Sequence, residues 1–140
     1  NRTNITINFL GEKKMNREIL YRGKRVDNDE WVYGFLTCRN YIDVFTQKVC
    51  YDGEEELTYC TVEHCQVDAN TVGQYTGLTD KNGKKIFEGD IVENPRGTQG
   101  FIEWQNAECA FLVNIGDDWQ TMDDCPYEVI GNIYDKGEEE

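Results

Sequence analysis

Apolar residues along this chain come in short clusters that are rich in branched and aromatic side chains. Where they alternate, the period is two. In Gly100-Phe101-Ile102-Glu103-Trp104, Phe101 and Glu103 share one side and Ile102 and Trp104 the other. The clusters predict strands at Ile19–Gly23, Trp31–Cys38, Tyr41–Phe45, Leu57–Val62, Gly100–Trp104, Ala110–Ile115 and Val129–Tyr134, with another opening at Ile91-Val92. Polar stretches between them predict the turns: Lys24–Glu30, Asp52–Glu56, Asn94–Thr98, Asn106–Glu108 and Gly116–Asp118. Asp80–Lys84 carries an Asn82-Gly83 pair. Both residues tolerate positive φ, so this reads as a tight reversal between Leu78 and the apolar Ile86-Phe87. Glu88-Gly89-Asp90 reads as a second reversal, leading into Ile91-Val92. No long amphipathic helix is predicted.

Short strands with Gly and Asn turns predict a mainly β fold, a small antiparallel barrel or sandwich with little helix. The run Gly89-Asp90-Ile91-Val92, then Gly100 to Trp104, then Phe111-Leu112-Val113 resembles an SH3-like barrel and predicts one for the C-terminal half.

A chain of 140 residues supports a single domain with a modest core. Its apolar runs fall well short of the ~20 residues that span a bilayer. With no signal-like N-terminal segment, a soluble, cytoplasmic protein without a membrane partner is expected. The formal net charge of −13 repels nucleic acid, whose binding rests on Lys and Arg. It favours solubility and steers basic partners. Gly137–Glu140 reads as a frayed acidic tail. Six cysteines, Cys38, Cys50, Cys60, Cys65, Cys109 and Cys125, are expected to stay reduced in that compartment.

The stretch from Thr71 to Glu93, TVGQYTGLTDKNGKKIFEGDIVE, resembles the signature of the YopX-like family of phage and prophage proteins. Met15–Gly23 is similar to the family's opening strand, Trp31–Gly34 to its second, and Tyr127–Tyr134 to its closing motif. Cys38–Val67 matches poorly, so whatever is particular to this member is expected there. The resemblance implies a bacterial or phage origin and a domain over residues 15–136, between an extension at 1–14 and the tail at 137–140. Two readings of Asn1–Lys14 stand. It is an N-terminal arm or expression remnant, or it is translated leader ahead of a true start at Met15, because Leu10–Lys14 can be encoded by a purine-rich, ribosome-binding-like run.

For metal binding, Cys60, His64 and Cys65 lie close together with Cys50 upstream. Zinc sites prefer paired Cys-x-x-Cys spacing, and adjacent residues on a strand point to opposite faces, so His64 and Cys65 do not ligate together from a regular strand. No metal and no cofactor is expected. A Cys-His pair for nucleophilic catalysis is possible from Cys65 or Cys60 with His64, the chain's one histidine, but such pairs are usually distant in sequence and no nucleophile signature surrounds any cysteine. The pairs Asp117-Asp118 and Asp123-Asp124 are ordinary turn carboxylates in so acidic a chain. Trp104, Phe101, Tyr75 and Trp119 offer rings for base stacking, beside a small cluster of Lys81, Lys84, Lys85 and Arg96.

The expected function is non-enzymatic, exerted through protein binding or self-assembly, with a homo-oligomer or a host or phage protein as partner. Gly73, Gly77, Gly83, Gly89, Asp90, Trp104 and Gly131 are expected to shape the fold, and Tyr75, Phe87 and Tyr134 to be core or interface aromatics. Three alternatives stand beside it: an acidic DNA-mimic decoy of a host nucleic-acid-binding protein, a small nucleic-acid-binding module, and a cryptic enzyme around His64.

Overall fold

The computed structural model describes residues 17–123 and 126–135. The extension at 1–14 and the tail at 137–140 lie outside the described residues.

Two antiparallel sheets make up the fold. The first contains β1 (Tyr21–Lys24), β2 (Trp31–Cys38), β3 (Tyr41–Asp52), β4 (Glu55–Gln66), β5 (Gly73–Thr79) and β6 (Lys85–Phe87), in the order β4-β3-β2-β1-β5-β6. A single 3-10 turn, Ala69–Thr71, returns the chain from β4 to β5, capped by Asp68 accepting from Asn70 N–H. The second sheet contains β7 (Asp90–Glu93), β8 (Gln99–Gln105), β9 (Ala110–Asn114), β10 (Trp119–Gln120) and β11 (Glu128–Asn132), in the order β10-β9-β8-β7-β11. Its outer strands β10 and β11 do not pair with one another. It is therefore an open sheet, not the closed SH3-like barrel that its apolar pattern predicts. Closure depends on the tilt and length of the last strands, which alternation does not encode.

The main core lies where β6 meets the second sheet. Ile86, Val92, Ile102, Val113, Met122 and Tyr127 are buried together, with Phe111, Ile115 and Val129 against them. Ile102 faces inward as its alternation predicts. Trp104 runs past the core and stays exposed, its ring edge-on to Phe111 at 5.1 Å. A smaller core of Ile42, Cys65 and Val67 sits at the base of β3 and β4.

The signature segment builds the joint between the sheets. Asp90, almost wholly buried, accepts Phe87 N–H at 2.7 Å and pairs with the Arg22 guanidinium at 2.7 Å. The aromatic rings of Trp31 and Phe87 lie against that guanidinium at 4.6 and 4.9 Å. Gly89 donates to Ile102 O and accepts from Ile133 N–H. It has φ +92°, and a Cβ there would lie 2.6 Å from the Tyr134 ring, so only glycine fits.

The Asp80–Lys84 reversal forms as predicted but with different backbone. Gly83 has positive φ (+84°) and Asn82 does not. Asp80 organises the turn instead. Its Oδ1 accepts from Asn82 and Lys84 N–H, and its Oδ2 reaches across to Val129 N–H on β11. Burial raises the Asp80 pKa, but these three donors outweigh it and the net shift is downward.

Candidate interaction surface

The largest departure from the sequence expectation is the β3–β4 hairpin. Separate strands ending at Phe45 and spanning Leu57–Val62 were expected, with a loop at Asp52–Glu56. Instead β3 and β4 pair without interruption from Tyr41 with Gln66 to Asp52 with Glu55. Twelve residues per strand at ~3.3 Å rise give a hairpin about 40 Å long. It closes through Gly53-Glu54, where Gly53 takes φ +65° as two-residue reversals require.

Only the base of this hairpin is packed. Ile42 and Cys65 are fully buried, whereas 45–52 and 55–64 are exposed on both faces. The exposed positions are nevertheless apolar in many places. Phe45, Val49, Tyr51 and Val62 share one face, with Phe35 edge-on to Phe45 at 5.5 Å. Leu57 and Tyr59 are exposed on the other face. Exposed clusters of this kind mark contact surfaces more often than solvated arms.

The metal and catalytic candidates Cys60, His64 and Cys65 lie on β4, with Cys50 on β3, and the strand geometry separates them. Cys65 faces the small core, and His64 points to the opposite side. Burial pushes the Cys65 thiol pKa up, contrary to what an activated nucleophile needs. Cys60 shares the His64 face but sits four residues, about 13 Å, along the strand. Cys50 is opposite Leu57, on the Cys65 side. His64 Nδ1 is engaged by Asp43 Oδ1, and its imidazole stacks on Tyr41 with ring centres 4.3 Å apart. Among the described residues, no three His, Cys, Asp or Glu side chains converge as a metal site.

The rings considered for nucleic acid differ in exposure. Tyr75 is core, tilted on Phe87 at 5.6 Å, and Trp104 and Trp119 are exposed on the second sheet. Lys81 pairs with Glu128 and Lys85 with Glu18. Asp118 accepts its neighbour Trp119 N–H, an ordinary turn role. Among the described residues, no helix is long and apolar enough to cross a membrane.

Sequence reasoning missed two determinants of this surface. Arg22 anchors the joint through a partner far along the chain. Gly34 lets β2 and β3 approach so closely that a Cβ would lie 2.2 Å from Asp43 O. A lone Gly inside an aromatic strand was the available signal for the second.

A family model described as YopX protein matches residues 20–138. The chain belongs to the YopX family. The match spans both sheets and the hairpin, so in this YopX-family member the hairpin is part of the domain. No curated protein matches the chain.

Proposed function

We propose that this YopX-family chain is a non-enzymatic, phage- or prophage-encoded protein of the bacterial cytoplasm that acts by binding protein through the β3–β4 hairpin. The phage context is what the sequence resemblance implies. The observation that carries the binding role is the hairpin itself, two long strands exposed on both faces yet set with Phe45, Val49, Tyr51, Leu57, Tyr59 and Val62. Burying such side chains is worth roughly 25 cal/mol per Å². Here that energy stays unused within the chain and is available to a partner.

The test is a trimmed variant in which Val44 and Glu63, which face each other across the ladder, are joined by Asn-Gly. It should keep the melting transition of the two-sheet body and lose the proteins that the full chain captures. Capture of the same proteins by both forms would refute the proposal.

The DNA-mimic decoy is the second reading, favoured by the carboxylates of Asp52, Glu54, Glu55 and Glu56 gathered at the hairpin tip. It requires that the captured partner bind DNA and be released by moderate salt. The nucleic-acid-module reading is weakened by the pairing of Lys81 and Lys85 with carboxylates.

A further inference from the structure

We propose that the hairpin's partner is a second copy of this chain, docked antiparallel through the outer edge of β4 about a two-fold axis at Cys60. This rests on the reading of the hairpin as the binding element.

β4 is the outermost strand of its sheet. The base of its outer edge is already covered, because Arg25 bridges Val67 and Val26 N–H donates to Gln66 O at 3.1 Å. In a hairpin closed by a two-residue turn, the residues flanking the turn exchange hydrogen bonds, and the pattern then alternates. Starting from Asp52 with Glu55, the backbone groups of Glu55, Leu57, Tyr59, Thr61 and Glu63 point into the ladder. Those of Glu56, Thr58, Cys60, Val62 and His64 point outward. Cys60 is the middle of that outward set.

Edge strands invite pairing, and folded proteins blunt them with lysine, proline, bulges or a covering segment. From Leu57 to Val62 this edge has none of these, and no charge. Acidic residues flank it, and Arg25 Nη1 holds Glu63 Oε1 at 2.7 Å. A two-fold through Cys60 sets Glu56 opposite the partner's His64 and Thr58 opposite the partner's Val62, with the two Cys60 residues facing each other. No like charges meet. A two-fold through Tyr59 would set Glu55 against the partner's Glu63, an unfavourable pairing. The Cys60 register therefore uses the whole free edge and avoids charge conflict. Both hairpins would join one continuous sheet, with the face that carries Phe45 and Val62 on the same side in each copy.

The association should strengthen with salt, since screening relieves repulsion between two acidic chains, whereas binding to a basic partner should weaken. Light scattering after size exclusion should give twice the 16.3 kDa chain mass, increasingly so as salt rises. Thr58→Pro removes an outward N–H and leaves the hairpin's own ladder intact, so it should give a monomer with unchanged melting. With Cys38, Cys50, Cys109 and Cys125 changed to serine, a short thiol–thiol bridging reagent should link two chains through Cys60, whose Cα atoms would sit about 5.5 Å apart. Register is checked with Cys60→Ser carrying both Thr58→Cys and Val62→Cys, which should bridge between chains at both positions. A monomeric mass at every salt concentration, a dimer that survives Thr58→Pro, or bridging that excludes these positions would overturn the inference. Hairpin-dependent capture of another protein by a monomer would overturn it while leaving the proposed function standing.

Discussion

Replacing Asp80 by alanine tests how the two sheets are held together. The residue is only 6% exposed, and its carboxylate accepts three backbone N–H bonds, from Asn82 and Lys84 at 2.8 Å each and from Val129 at 3.0 Å. A hydrogen bond to a charged group contributes about 1.5–3 kcal/mol. The three do not add in full, because water reaches the turn amides once the carboxylate is gone and the carboxylate's own burial cost disappears. The expected loss is about 3–4 kcal/mol, a large share of the 5–15 kcal/mol typical of a domain. Urea unfolding followed by tryptophan fluorescence measures it. The folded pKa of Asp80 lies below its ordinary value of 3.8. Its stabilisation is thus fully present above that value and is lost as pH falls through the folded pKa. The stability gap between wild type and Asp80→Ala should therefore narrow on acidification. Asp80→Asn keeps an acceptor for the turn but turns an amide donor toward Val129 N–H, so it should fall between the two. A loss below about 1 kcal/mol, or a gap that does not change with pH, would refute the reasoning.

Arg22→Met leaves Asp90 buried without its cation and should cost about 3–5 kcal/mol in urea unfolding, most of it recovered by adding Asp90→Asn. Burial already raises the Asp90 pKa and Arg22 opposes that rise, so the single variant should regain stability relative to wild type as falling pH protonates the carboxyl. Gly34→Ala drives a methyl into Asp43 O and should cost at least about 3 kcal/mol, with amide exchange rising first along β2 and β3. Ile102→Ala opens a cavity in the main core and should lower stability by about 2–4 kcal/mol in the same assay. In wild-type protein, amides from Phe45 to Val62 should exchange far faster than those of β7 and β8, as hydrogen exchange by mass spectrometry would record.

Strands with one buried face were legible. Ile102 on β8 sits in the core because alternation along a half-buried strand reports which side faces inward, and the apolar run Ala110–Ile115 supplied β9. The Thr71–Glu93 stretch drew attention as a family signature, and it contains Asp80, Gly89 and Asp90, which join the sheets. The distal hairpin was not legible for the same reason that β8 was. Residues exposed on both faces carry no inside–outside contrast, so Thr46-Gln47-Lys48 gave no strand signal and the expected strand ended at Phe45. The Arg22–Asp90 pair was hidden because long-range partners leave no local pattern. The Asn82-Gly83 dipeptide promised two positive-φ residues, but a three-donor carboxylate at Asp80 settled the turn with one. The candidate ligands Cys60, His64 and Cys65 were close in sequence; the pleat parts Cys65 from His64, and distance along β4 parts Cys60 from His64. The exposed apolar surface of the hairpin came from tertiary placement that no motif announces.

The hairpin divides the chain's tolerance of change. A substitution at Gly89, Asp90 or Ile102 acts on the whole molecule, because those side chains hold the sheets together or fill the core. A substitution at Val49, Leu57 or Tyr59 touches little else within the chain, so its consequences fall on whatever meets the hairpin. Side chains at those positions are therefore free to vary, residue by residue, on a body that stays the same. Under the proposed binding role, that separation would let a contact surface change while the fold beneath it does not.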